Sequence, residues 1–396
     1  MKPLSSFVLI SIFSTASLVA AAQGSIETVL QSVKQNNKTI LAQRDYEAAR
    51  KIESRTGLNP DNPFVEYDRL PGRPNGAGVQ QEFSITQQLD FPTAYGHKRK
   101  VARQVTSQSE TNTSMVRQSI LGDAKKVCIQ IIYHNKRRIE LTKRAERAQR
   151  LVDDISEKLK LSAATVLDLN KARLQKLDAE NQLRLNGSLL RQQLQKLAEL
   201  NGGNAVQLPD TVYPELPELA TLPVLDSLIE AADPGLLSLK QQIGIDQAQL
   251  ALSRSLTLPK FQVGYHYQSI LGQRYQGFHF GLSVPLWQQA NTVKLAQANQ
   301  LFSTSRLEAE RSEHYSSIVQ LYEQYEVQKQ ALDQYRVSLT GLGTLPLLDA
   351  ALKLSQITAI EYVLETTYLY AATDTFGELE RDLQLTAVDL YKYRLN

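Results

Sequence analysis

Hydrophobic and polar residues follow three different rhythms along this chain. Between Val79 and Phe91 the odd positions run Val79, Gln81, Phe83, Ile85, Gln87, Leu89 and Phe91, while every even position from Gln80 to Asp90 is polar. Phe261, Val263, Tyr265 and Tyr267 alternate with polar or small residues in the same way, as do Phe278, Phe280, Leu282, Val284 and Leu286. A period of two marks strands with one apolar and one polar face. The pattern predicts strands over 79–91, 260–270 and 276–286, with a weaker one over 63–70 opened by Pro63.

The second rhythm is helical. No proline interrupts Thr93 to Glu157, and Ala145, Ala148, Val152, Ile155 and Leu159 recur at alternating spacings of three and four, the seam of coiled-coil packing. A helix over those residues spans about 97 Å at 1.5 Å per residue. Its partner, over 163–201, carries Leu174, Leu177, Leu183, Leu190, Leu194 and Leu197 before Gly202-Gly203. Shorter helices are predicted over 25–57, 225–256 and 358–394, and a second long one over 286–340. In each half the two shorter helices together match the long one in length. Helices of that size suit a hollow cylinder or a rod, not a globular core.

The third rhythm is the chain itself. Gln81–Leu89 aligns with Phe278–Leu286, Pro63 with Pro259, and Thr165-Val166-Leu167-Asp168 with Thr358-Ala359-Ile360-Glu361, each pair roughly 195 residues apart. The chain is therefore read as a duplicated helix-strand-strand-helix unit. The copies cover 23–203 and 225–396, joined by a linker over 204–224 that holds Pro209, Pro214, Pro217 and Pro223. Residues 1–22 read as a secretory signal: Lys2, an apolar core from Phe7 to Phe13, and an Ala20-Ala21-Ala22 exit. No cysteine lies near that exit, which argues against a lipid anchor there.

Composition narrows the class further. Lys and Arg number 44 against 41 Asp and Glu, a net charge of +3 that is too even for a nucleic-acid binder. The single cysteine, Cys128, excludes an internal disulfide and a CxxC site, and reads as a small buried residue. Of the histidines at 97, 134, 266, 279 and 314, no two have ligand-like spacing. His266 and His279 fall on polar strand faces, and no nucleophile or phosphate-binding motif is present, so neither catalysis nor a metal or cofactor is expected. The basic runs His97–Lys100 and Lys136–Arg138 read as solvated helix faces, the first placed at the inner membrane-water boundary.

Beyond the N-terminus no apolar run is long enough for a spanning helix, but that leaves a barrel open. Soluble sandwiches also use two-faced strands. These, however, run longer than the usual five to six residues, and their apolar faces are rich in Phe and Tyr. Four strands cannot enclose a lumen, and open sheet edges are not tolerated in hydrocarbon. If the strands span a membrane, several chains must pool them, and three chains give twelve.

The chain resembles the TolC-like outer-membrane efflux proteins over essentially its whole mature length. The resemblance rests on the duplicated unit, Asn59-Pro60 to Pro63 entering the first strand, Gly281-Leu282-Ser283-Val284-Pro285-Leu286 closing the fourth, and Val363-Leu364-Glu365 followed by Thr366-Thr367-Tyr368-Leu369-Tyr370. Gln88-Leu89-Asp90 with Gly96-His97-Lys98-Arg99 looks most like the heavy-metal branch. The resemblance implies a mainly α chain with a transmembrane β-barrel portion. Three chains would form a twelve-stranded barrel continuous with a periplasmic α-barrel. It further implies a homotrimer in the Gram-negative outer membrane, fed by an inner-membrane RND-type pump through a periplasmic adaptor. Hairpin tips are then expected near Lys158–Ala164 and Gly341–Thr358, with an acidic ring just above the second. Glu365 matches the ring position, Tyr362 stands where the family has a neighbouring acid, Glu361 shares the face of Glu365, and Asp168 is the first-copy counterpart. A periplasmic coiled-coil adaptor or scaffold, and an exit duct for drugs or type I secretion, are the competing readings.

Overall fold

The computed structural model describes residues 26–395 apart from 75, 341 and 342; the signal-peptide reading of 1–22 lies outside them. The chain runs α1 (Ile26–Asn36), α2 (Lys38–Glu53), β1 (Phe64–Pro71), β2 (Val79–Leu89), α3 (Pro92–Lys160), α4 (Val166–Leu200), α5 (Leu222–Ala232), α6 (Pro234–Ser255), β3 (Lys260–Ile270), β4 (Gln273–Ser283), α7 (Thr292–Thr340), α8 (Thr344–Lys353) and α9 (Ala359–Leu390). A 3₁₀ turn over Lys392–Arg394 follows. No described helix is long and apolar enough to cross a membrane.

The strands form one antiparallel sheet in the order β1-β2-β3-β4. Each strand continues into a helix at the same end of the sheet: α2 enters β1, β2 leads into α3, α6 enters β3, and β4 leads into α7. These helices pack in the strands' own order, α2 on α3, α3 on α6 and α6 on α7. The wall of the molecule is thus a sheet that becomes a row of helices. Asp90 fixes that junction, its carboxylate held by Lys98 at 2.9 Å and Lys260 at 3.2 Å, tying the ends of β2, α3 and β3 together.

α3 is a single helix of 69 residues, about 104 Å long. Against it α1–α2 and α4 stack end to end, as their lengths suggested. Asn37 Nδ2 donates to the Leu200 carbonyl at 2.7 Å, and Ser32 Oγ donates to Asn201 Oδ1 at 2.9 Å. Gly202 is required at this meeting, because a Cβ there would lie 2.2 Å from the Asn36 carbonyl oxygen. Cys128 is fully buried in the surrounding core with Val33, Ile129, Ile132 and Leu197. Burial pushes its thiol up to about 12, so it stays protonated.

Several expectations shift. The helices expected over 25–57 and 225–256 are each two, broken where Asn37 and Asp233 turn extended and cap α2 and α6 with their side chains. The fourth strand starts at Gln273 instead of 276, because β3 and β4 turn on just Leu271-Gly272, both at positive φ (50° and 83°). It stops before Val284-Pro285, since proline has no N–H for the ladder. The stretch 341–358, expected as a turn, contains α8. Leu174 and Leu177 are exposed on α4 instead of packed.

Candidate functional site

Strand register fixes what each face of the sheet presents. Partners across an antiparallel ladder point to the same side, and Val65↔Ile85↔Tyr265↔Phe278 is one continuous row. Tyr67↔Phe83↔Tyr267 lies one step nearer the hairpins; Gln87↔Val263↔Phe280 and Leu89↔Phe261↔Leu282 lie nearer the helices. This face is largely uncovered, with Phe278 93% exposed. At about 3.3 Å per residue an 11-residue strand is about 36 Å long, and a tilt of about 45° brings its height to about 26 Å, the thickness of a lipid-facing band. The opposite face carries Glu66, Asp68, Glu82, His266 and His279. Asp68 pairs directly with Glu82, and His266 Nε2 stands 3.1 Å from Glu82 Oε1. Among the described residues, β1 and β4 each leave one edge without a partner strand.

At the far end of the helices, two hairpin tips are copies of one device. Leu159-Lys160-Leu161-Ser162 and Leu352-Lys353-Leu354-Ser355 match residue for residue, and each is followed after two residues by Thr165 or Thr358. Ser162 and Ser355 take left-handed backbone (φ 58° and 55°), ending α3 and α8. Ala163 N–H then bonds back to Lys158 O at 2.8 Å, and Gln356 N–H to Ala351 O at 2.9 Å. Thr165 and Thr358 open α4 and α9 with full capping boxes, closed by Asp168 and Glu361.

Those two carboxylates therefore have a local task. Thr165 N–H and Oγ1 donate to Asp168 Oδ2 at 2.9 and 2.6 Å; Thr358 N–H and Oγ1 donate to Glu361 Oε2 at 2.8 and 2.9 Å. These bonds hold both acids below the usual carboxylate range. A depressed folded pKa means the cap is fully formed above the free-carboxyl range and lost as pH falls through the folded value. We therefore expect amide exchange in the first turns of α4 and α9, taken relative to its intrinsic rate at each pH, to accelerate as pH falls through the acid range. Thr165→Ala and Thr358→Ala should produce the same acceleration at neutral pH.

Of the other sequence-predicted positions, Glu365 is exposed and, among the described residues, in no ion pair. It lies one turn beyond Glu361 on the same face. Tyr362 is not with them. One position round from Glu361, it is 3% exposed and packs with Leu151, Ile155, Leu169 and Ala172, the second-copy equivalent of buried Leu169. Its hydroxyl donates to Asp349 Oδ1 in α8 at 2.7 Å.

Sequence reasoning missed the charged seam that joins the two copies. α3 supplies the cations and α8–α9 the anions. Lys126 meets Asp389 at 2.5 Å, Lys136 meets Glu380, Arg137 meets Asp374 and Glu378 at 3.5 Å, Arg144 meets Asp374 at 2.9 Å, and Arg147 meets Asp349 at 3.3 Å. Arg144 is the buried member, 4% exposed, with its guanidinium 4.3 Å over the Tyr370 ring. Arg147 reaches Tyr370 Oη at 3.4 Å as well, so one residue of α3 holds both α8 and α9. The partners are more than 200 positions apart, and no local periodicity announces them.

No family model matches the chain, and no curated protein matches it in sequence. Solved structures do. It is similar to CusC, described for the conformational changes that accompany its folding and transmembrane channel formation (TM-score 0.77, 13% identity, 93% of this chain and 91% of that one). It is also similar to the CmeC outer membrane channel of Campylobacter jejuni (0.74, 14%, 93% and 85%). A third is the open state of the MtrE outer membrane channel of Neisseria gonorrhoeae (0.70, 13%, 93% and 88%). Overlap across nine-tenths of the chain, at so little identity, is overlap of architecture. A strand-to-helix wall, an end-to-end stacked helical layer and twin hairpin tips are together the fold of the TolC-like outer-membrane channels.

Proposed function

We propose that this chain is an outer-membrane exit duct of a tripartite efflux system, working as a homotrimer that extends into the periplasm. The observation that carries the proposal is the two-faced sheet: an aromatic-rich uncovered face of membrane height, a charged opposite face, and two unpaired edges. Pooling the strands of three copies removes all open edges and gives twelve, an even count within the range of bacterial barrels. Transport through such a duct is passive, with no enzymatic step, and energy comes from an inner-membrane RND-type pump. A periplasmic adaptor docks on the tips, whose repeated Lys-Leu-Ser turns give each trimer six similar seats. Cell fractionation tests the proposal. Recovery with the outer membrane is expected, and recovery in the soluble periplasm would leave the adaptor or scaffold reading in its place.

Cations are the cargo this duct favours, heavy-metal ions among them. Glu66, Asp68 and Glu82 line the polar face that becomes the lumen, and rings of carboxylates favour cations. Glu365, Glu361 and Asp168 form the aperture at the tips. Glu365→Ala with Glu361→Ala should raise single-channel conductance in planar bilayers, whereas Thr358→Ala, which removes the cap but keeps the charge, should not. Unchanged conductance in the double variant removes these acids from the aperture. Heavy-metal sensitivity of a deletion strain tests the cargo, and wild-type tolerance would point to drugs or secreted proteins instead.

A further inference from the structure

The sheet separates its charges by face and by height. All three acids of the strands, Glu66, Asp68 and Glu82, point to the polar side, as does Lys260. Both arginines point to the apolar side. Register places them in one row, Arg69↔Gln81↔Ser269↔Arg274, across all four strands at the hairpin end. The next row towards the helices is Tyr67↔Phe83↔Tyr267↔Gln276, and the wholly apolar Val65↔Ile85↔Tyr265↔Phe278 row follows. Down this face the order is therefore cations, aromatic girdle, hydrocarbon-facing residues.

An arginine on a lipid-facing surface costs about 2–4 kcal/mol at mid-bilayer and almost nothing at the interface. The girdle beneath Arg69 and Arg274 puts them at headgroup height. Both are exposed, and among the described residues no carboxylate forms an ion pair with either. The strand acids are on the wrong face to serve. Two exposed guanidiniums, facing outward at headgroup height, suit phosphate groups, which a guanidinium binds through two parallel N–H bonds. The hairpin end is also the end remote from the helices. Given the outer-membrane reading proposed above, on which this inference rests, that end meets the outer leaflet.

We propose that Arg69 and Arg274 form a collar that binds the phosphates of the anionic glycolipid of the outer leaflet. A trimer carries six such arginines, two from each copy. The collar fixes the height of the barrel in its bilayer and gives it a shell of tightly held lipid, a function separate from conduction.

The test uses the full-length channel, extracted from the membrane in detergent and offered lipid A with both phosphates or with its phosphates removed. Bound lipid is counted by native mass spectrometry. Wild type should retain the phosphorylated lipid preferentially, and Arg69→Gln with Arg274→Gln should reduce that preference by roughly fivefold for each arginine removed. Arg69→Lys with Arg274→Lys, which keeps the charge but not the paired bonds, should fall between them. Gln268→Ala on the opposite face should leave the lipid preference unchanged. A glutamine double variant that assembles and binds like wild type, or a wild type that does not distinguish the two lipids, overturns the collar. So does displacement of the lipid by an equal concentration of inorganic phosphate, which would assign the arginines to the free anion. Outer-membrane recovery without lipid preference sinks the collar alone, whereas recovery in the soluble periplasm sinks the membrane reading beneath it.

Discussion

Phe278→Arg should abolish recovery of this protein from the outer membrane, while His279→Arg, one residue along, should leave recovery close to wild type. The two side chains are neighbours in sequence and opposites in space. Phe278 sits in the middle row of the apolar face, edge-on to the Tyr265 ring with centroids 6.0 Å apart. His279 pairs with Gly264 on the polar face. An arginine at mid-bilayer on the lipid side costs about 2–4 kcal/mol, and a trimer carries that cost three times. The total of roughly 6–12 kcal/mol is as large as the whole stability of many folded domains. In the proposed duct the same charge beside Gly264 enters a water-filled lumen at little cost. Recovery is read by quantitative immunoblot of membrane fractions, with loss of at least tenfold expected for Phe278→Arg. Equal tolerance of both substitutions would mean that water wets both faces, as in a soluble sheet.

The second large effect is expected at the seam between the copies. Arg144→Ala with Arg147→Ala removes the buried partner of Asp374 and the residue that holds both α8 and α9. Breaking a fully buried pair costs about 3–5 kcal/mol. Asp374 keeps partial access to water and a second cation in Arg137, so about 2–3 kcal/mol is the expected loss for this seam. The lower part of α9 should then be cut by protease under conditions where wild type is intact, and single-channel conductance should rise as the tip hairpin swings free. Arg144→Met with Asp374→Leu, which removes both charges and fills the space, should restore protection. A double alanine variant as resistant as wild type would show that the seam is held by the apolar core of α3, α4 and α9 without help from its charges.

Much of this was legible in the sequence, for identifiable reasons. Alternation is local, so Phe83 and Ile85, or Phe278 and Phe280, announced their faces without knowledge of partners. Duplication was legible because Thr165–Asp168 and Thr358–Glu361 repeat a capping box, although the capping task of its acids was not read from the sequence. The spacing that puts Glu361 on the face of Glu365 is also the spacing from Thr358 that makes it a cap. Helix breaks at Asn37 and at Asp233-Pro234 carried ordinary stop-and-start signals, but these were outvoted by helical periodicity on both sides. The start of β4 was obscured because Gln273, Arg274 and Tyr275 lack apolar alternation, and the ladder extends through them only because a two-residue turn brings them opposite Ile270, Ser269 and Gln268. The burial of Tyr362 and the ion ladder from Lys126 to Arg147 depend on how the two copies pack together, which no local pattern encodes.

The central claim is that three copies pool their strands into one membrane pore, and the most direct measurement is the native mass of the particle extracted from the outer membrane in detergent. One chain before any processing weighs 44.4 kDa. A particle of three chains is the result predicted here. A monomer, with four strands and two open edges in hydrocarbon, or a dimer would contradict it.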